Sequence, residues 1–196
     1  MSATATSLRL TGEYTLDPAH TRIGFVARHA MVTKVRGSFN KFEGSGYFDA
    51  EEPANSNLHV TIRAASIDTR NADRDGHLRS NDFLDMHNYP EIRFVSTSVE
   101  RVGDDVYRVA GDLTIKSVTK PVSIDFEYTG TSVDPYDNQR LGFEGITVIN
   151  RKNWGVNWNT VLETGGVLVG ERVTLEIEVS AIKSVKRAEP VRTAES

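Results

Sequence analysis

The feature that most constrains this chain is an apolar/polar alternation with a period of two residues, which runs through almost its whole length and breaks once. In Leu58–Ala64, Leu58, Val60, Ile62 and Ala64 alternate with His59, Thr61 and Arg63; in Glu171–Ile182, Val173, Leu175, Ile177, Val179 and Ala181 oppose Arg172, Thr174, Glu176, Glu178 and Ser180. A period of two puts successive side chains on opposite faces of an extended strand, so each segment owns one apolar face and one wet face. The same reading predicts strands at Glu13–Leu16, Thr21–His29, Val35–Ala50, Ile92–Glu100, Val106–Ile115, Val122–Tyr128 with Pro121 at its start, and Leu141–Asn150. Asp17-Pro18, Gly103-Asp104-Asp105 and the run from Asp134 to Asn138 are turn signals between them.

About eight such strands with hairpin-length connections describe an antiparallel sheet that must close on itself or pack on a second sheet to cover its apolar faces. An eight-stranded barrel fits the count and leaves an interior wide enough for side chains or one ligand. A sandwich shares the pattern, and periodicity alone leaves both open. With 196 residues the chain reads as one domain, 12–182, preceded by a flexible arm, 1–11, and followed by a disordered tail, 183–196.

The break lies between Ser66 and Ser98, where acidic, basic and His residues crowd together and the alternation stops. Asn71–Asp82 approaches a calcium loop, with oxygen donors at Asn71, Asp73 and Asp75, Gly76 at the sixth position and Asp82 at the twelfth. Its first ligand is a neutral Asn, its twelfth is Asp where Glu is preferred, and a strand precedes it. The competing reading is a short helix capped by Asn71 or Thr69, with Asp73, Arg74, Asp75 and Arg79 as solvated or locally paired charges. On that reading the segment covers one barrel end, with Phe83, Leu84 and Met86 pointing inward, and gates entry to the interior.

Chemistry elsewhere is sparse. There is no cysteine, no GxSxG, and no HExxH among the five histidines. His29 ends an apolar strand face and is read as a structural donor to a backbone carbonyl. The segment Asn150–Asn159 holds Arg151, Lys152, Trp154 and Trp158, readable as a core plug or as a polar head-group site beside an aromatic wall. A net charge of -4 argues against general nucleic-acid binding. No run approaches 18 apolar residues and the first residues show no basic region followed by an apolar stretch, so a soluble cytoplasmic protein without a membrane span is expected. No cofactor is expected.

Four ordered blocks carry a resemblance: YTLDPAHTRIGFVARHAMVTKVRGSFNKFEG at 14–44, SIDTRNADRDGHLRSNDFLDMHNYPEIRFVSTSV at 66–99, GDLTIKSVTKPVSI at 111–124 and INRKNWGVNW at 149–158. Together they resemble the YceI-like family of lipocalin-like polyisoprenoid-binding proteins. The resemblance implies an all-β fold, an antiparallel eight-stranded lipocalin-like barrel with a short helical insertion over one end. It implies non-enzymatic binding, transport or storage of a polyisoprenoid or similar long-chain lipid, and a homodimer. Alternation and match together nominate Ile23, Phe25, Phe39, Phe94, Leu113, Ile124, Phe126, Phe143, Trp154, Trp158 and Leu175 as the ligand-binding wall. A different class, a metal-assisted hydrolase built on Asp73, Asp75, His77 and His87, is the rival.

Overall fold

A computed structural model describes residues 10–163, 165–166 and 168–184, so the expected arm and tail lie almost wholly outside the described residues. Eleven strands form one antiparallel sheet: β1 Gly12–Leu16, β2 Arg22–His29, β3 Thr33–Phe39, β4 Phe42–Phe48, β5 Asn57–Arg63, β6 Ile67–Asp68, β7 Glu91–Arg101, β8 Val106–Ile115, β9 Val118–Val133, β10 Gln139–Asn150 and β11 Val169–Lys183. One α-helix, α1 Ala72–Arg79, stands in the interruption.

The eleven strands occupy eight positions around a barrel, because three positions are filled by broken strands. β1 and β2 both pair with β11; β4 and β3 pair with β1 and β2; β5 and β6 pair with β4 and β3. Thereafter β5, β7, β8, β9, β10 and β11 follow one another as a simple meander, and β11 closes the ring onto β1 and β2. The Val35–Ala50 segment is one bent run, β3 and β4, broken at Asn40-Lys41. Strands this strongly coiled need such breaks, since an eight-stranded ring closes only with tilted, curved strands.

Two glycines show how the interior is fitted. A Cβ on Gly145 would run into the ring of Phe126, and one on Gly111 into the ring of Phe94, so both rings lie flat across a neighbouring strand where any side chain would lift them. Pro121 is placed otherwise than expected: β9 begins at Val118 and carries Pro121 in its fourth position, opposite Asp112. β10 pairs with β9 only as far as Asp125, so the missing Pro121 donor is tolerated on a side with no ladder. At the other extreme of the domain, β11 runs on to Lys183, which pairs with Tyr14, one residue beyond the expected boundary.

Three apolar clusters stack along the barrel axis. The first, nearest α1, has Ile62, Ile92, Leu113, Ile149 and Trp154; the second has Val99, Val109, Ile124 and Phe126; the third has Tyr14, Leu141 and Ala181. Outside the third, Arg140 bridges Asp17 and Asp134, two carboxylates whose side chains are nearly covered. Hydrogen bonds from the side chain and backbone of Asn138, from Tyr136 and from Arg140 hold Asp134 down at about 2, and the Arg140 guanidinium holds Asp17 below the usual carboxylate range. A carboxyl with a depressed folded pKa stabilises the fold above its unfolded value, near 4, and that stability is lost as pH falls through the folded value. The melting temperature is therefore expected to hold from neutral pH to about 4 and to fall between there and about 2. Asp49, Glu91, Asp125 and Glu171 are lowered too and act in the same direction. Arg140→Gln should make the acid slope shallower in differential scanning calorimetry; an unchanged slope would assign it to the other carboxylates.

Candidate functional site

The interior of this barrel is not filled. Among the described residues no large side chain falls below 2% exposure, and the inward residues Val173, Leu175, Ile177 and Val179 of β11 are only partly covered although they face the axis. A globular core of this size packs to near-crystalline density, so half-covered aliphatics pointing inward mark open space. That space is a cavity of roughly 350 Å³ running past all three clusters, from Leu78, Phe83 and Leu84 at the covered end to Tyr14, Phe48 and Leu141 at the other. Its size falls in the range of small-molecule sites, about 300–1,000 Å³.

Most of the residues nominated by alternation and resemblance border this cavity. Ile23, Phe39, Phe94, Leu113 and Leu175 line it around the first cluster, and Ile124, Phe126 and Phe143 around the second. Phe25 also lines it, its ring 5.8 Å from that of Phe39. Trp154 and Trp158 do not. Trp154 is buried in the first cluster, packed with Leu113 and Ile149, and its indole N–H donates to the Leu113 carbonyl at 2.9 Å. Trp158 stands outside, edge-on to His77 at 4.5 Å and tilted against Phe83 at 5.2 Å. Of the two readings of Asn150–Asn159, the core plug describes Trp154.

In the far half of the cavity the nominated wall contains only Phe143, although the same period reaches its neighbours. Phe48, Tyr107 and Phe143 meet edge to face, with centroids 5.4–6.0 Å apart, and Tyr128 leans on Phe143. Beside them Tyr14 donates its hydroxyl to the Leu10 carbonyl, and burial pushes that hydroxyl up to about 12. It remains a neutral donor at any ordinary pH.

The charged cover differs from the expectation in a way that explains its sequence. Asn71 caps α1, its side chain accepting from Arg74 N–H, as one reading of the motif requires. Asp75, expected in solvent, is 6% exposed and accepts from both the backbone N–H and the hydroxyl of Thr69. Arg74 donates to the Thr69 hydroxyl and carbonyl, and Arg79 to the carbonyls of Ala65 and Ile67. These charges pin the helix to the end of the β5–β6 run, where the ladder stops and backbone groups would otherwise go unpaired. Phe83 and Leu84 reach the cavity as expected; Met86 does not.

The proposed metal ligands are not brought together. Asp73 and Asp75 sit two residues apart on a helix and face different ways, Asp73 exposed and Asp75 engaged with Thr69. His77 bonds Asp82 at 2.8 Å between two aromatic rings, and His87 is exposed. Among the described residues no three His, Asp or Glu side chains are grouped to hold an ion, so the hydrolase reading loses its geometry. His29 is exposed and its imidazole has no hydrogen-bond partner among the described residues, which removes the donation to a backbone carbonyl expected of it.

The residue that sequence reasoning undervalued is Arg151. It is 6% exposed, borders the covered end of the cavity, and donates to the carbonyls of Gly170, Val156 and Val169. Its guanidinium also lies 5.9 Å from the Phe83 ring centre, and burial pulls its pKa below the usual guanidinium value. Arg151 thus fastens the loop between β10 and β11 to the start of β11.

Comparison with known proteins agrees with this geometry. The profile of the YceI-like domain matches residues 14–181. A UPF0312 protein of Staphylococcus aureus strain MSSA476 is 39% identical over 164 residues, 83% of this chain and 93% of its own. Another, from Photorhabdus laumondii, is 41% identical over 150 residues, 76% of this chain and 78% of its own. The crystal structure of a Campylobacter jejuni YceI protein superposes with a TM-score of 0.69 at 30% identity, covering 87% of this chain and 97% of that one. A polyisoprenoid binding domain from Saccharophagus degradans, implicated in plant cell wall breakdown, shares the fold with a TM-score of 0.66 at 14% identity, covering 87% and 98% of the two chains. By its domain match, its relatives and its closed eight-position barrel, this chain belongs to the YceI-like family.

Proposed function

We propose that the protein is a non-enzymatic carrier or store for a polyisoprenoid or a similar long-chain apolar lipid held along the barrel axis. The observation that carries this reading is the unfilled interior, bounded over its length by aliphatic and aromatic side chains. The polyisoprenoid-binding neighbour of the same fold supports the ligand class. Each isoprene unit has five carbons, and burying each CH₂ contributes about 0.8 kcal/mol, so a few units supply several kcal/mol, reduced by the cost of ordering the tail. The wall recognises tail more than head group. Each nitrogen of Arg151, the charged side chain on the wall, is already bonded to a backbone carbonyl.

Lipid extraction and native mass spectrometry of freshly purified protein test this. A co-purifying long-chain lipid, or uptake of an added isoprenoid by the stripped protein, is expected. A lipid-free protein that also refuses isoprenoids would sink the carrier reading.

In this reading α1 and the residues after it form the cover that must shift for lipid to pass. Arg79→Ala removes two of the ties to the β5–β6 run. Amide hydrogen exchange within Ala72–Arg79 is expected to accelerate about tenfold, consistent with one or two partly exposed charge-assisted bonds. Release of an apolar probe should quicken with it; faster exchange at unchanged release would place the exit elsewhere.

A further inference from the structure

The β2–β3 hairpin breaks three local rules at once. First, its tip exposes apolar side chains: Met31 is 56% and Val32 77% exposed. Second, Ala30 and Met31 both hold left-handed backbone, with φ of 50° and 62°, a conformation that is sterically costly for residues other than glycine and asparagine. Third, Arg28 stands directly across the ladder from Lys34, a like-charge pair that weakens a hairpin. The exposure and the like-charge pair are unfavourable in water, and a partner that covers the apolar tip and meets its cations would offset both, while the strained turn holds the tip out from the barrel.

Charge identifies that partner. From Pro18 to Phe42 the chain carries Arg22, Arg28, Lys34, Arg36 and Lys41 and no carboxylate, although its net charge is -4. Arg22 is taken up by Glu176 and Glu178, and Arg28 donates to the Val32 carbonyl. The side-chain charges of Lys34 and Arg36 have no partner among the described residues. Register puts Arg28, Lys34 and Arg36 on the outer face of the hairpin, behind the tip. At about 3.3 Å per strand residue, the Arg28–Lys34 pair sits roughly 7–10 Å back from Met31. An apolar element that enters a bilayer interface sinks about 5–10 Å, which sets those cations at the level of the phosphates.

The neighbouring loop extends the apolar tip. Ala30 N–H donates to the Leu168 carbonyl at 2.7 Å, and Val161 on that loop is 79% exposed; the loop also carries Glu163. Exposed apolar residues occur at the opposite end as well, Val133 and Tyr136, but there they flank Asp134 and Asp137, the wrong charge for an anionic surface.

We infer that the β2–β3 hairpin, with Val161 beside it, is a docking tip for the surface of an anionic lipid bilayer. Met31, Val32 and Val161 enter the interface, and Arg28, Lys34 and Arg36 meet the lipid phosphates. The tip lies at the end of the barrel that carries α1 and Arg151, so docking would bring that end to the membrane.

Cosedimentation of the whole chain with vesicles tests this. Binding to phosphatidylcholine vesicles containing one third phosphatidylglycerol is expected to exceed binding to pure phosphatidylcholine at least tenfold and to weaken with salt. Lys34→Ser with Arg36→Ser should lower it about thirtyfold, at about 1 kcal/mol per cation. Met31→Asn with Val32→Ser should also lower it, about tenfold, while melting no earlier than the parent, since Asn accepts left-handed backbone. Val133→Ser with Tyr136→Ser should leave it unchanged. Equal binding to both vesicles, or anionic binding that ignores the hairpin variants, overturns the inference. So would hairpin variants that change the oligomeric state in light scattering without changing vesicle binding, which would give the tip to a second copy of the chain. Uptake of an apolar probe from solution should be unaffected throughout, so failure here leaves the carrier reading standing.

Discussion

A double variant, Leu175→Trp with Val179→Trp, is expected to remain folded, to melt at or above the parent temperature, and to bind an apolar probe roughly fiftyfold more weakly. Both residues point into the barrel from β11 and both are only partly covered. Leu175 packs beside the first cluster and Val179 beside the second and third, so two indoles would block the cavity at separate levels. In a filled core such enlargement costs about 1–3 kcal/mol through strain. Here it adds contacts where there are none. The fiftyfold figure corresponds to losing the burial of about three CH₂ groups. Ile146→Trp, on the outer face of β10 where Ile146 is 66% exposed, should change neither property. Full binding by a folded double variant would remove β11 from the wall.

The largest loss of stability is expected from Arg151→Met, about 3–5 kcal/mol in urea denaturation. The methionine can fill part of the volume, but it takes the Arg151 donors from the carbonyls of Val156 and Gly170 and leaves that of Val169 with the Asn159 amide alone. With domains of this kind stable by about 5–15 kcal/mol, that is a large fraction of the total. Arg151→Lys should recover little of it, because one ammonium on a flexible stem cannot serve three carbonyls presented to a planar fork. A lysine variant as stable as the parent would mean that the charge, and not the fork, holds the loop.

Most of the barrel is legible in the sequence because its strands bury one face only, and a one-faced strand writes its orientation into every second residue. Residues such as Ile124, Phe126 and Leu175 were therefore assignable to the interior without coordinates. What period two does not encode is whether an inward or corner residue meets a void or a neighbour. Trp154 looks like a wall residue and is a plug, since aromatic character is the same in both settings. Asp75 and Arg151 fail for the opposite reason. Their burial is made possible by partners, Thr69 in one case and three backbone carbonyls in the other, that are unremarkable in the sequence and become partners only through the fold. The tip at Met31 and Val32 falls between the strands expected at Thr21–His29 and Val35–Ala50, but its exposure and its left-handed backbone are not written there.

The position of β11 bears on how the molecule is made. It is the last strand of the barrel and pairs with β10, with β2 and with β1, joining Tyr14 to Lys183. A ribosome must therefore release nearly the whole domain before the first strands, already paired with β4 and β3, find their second neighbour. Until then β1 and β2 offer an unpaired edge and the interior face of the sheet is open to water. Contacts spanning almost the full sequence slow folding, and such edges are where nascent chains associate wrongly. A chain cut before β11 would have no seam to close, and its fate would fall to chaperones and proteases.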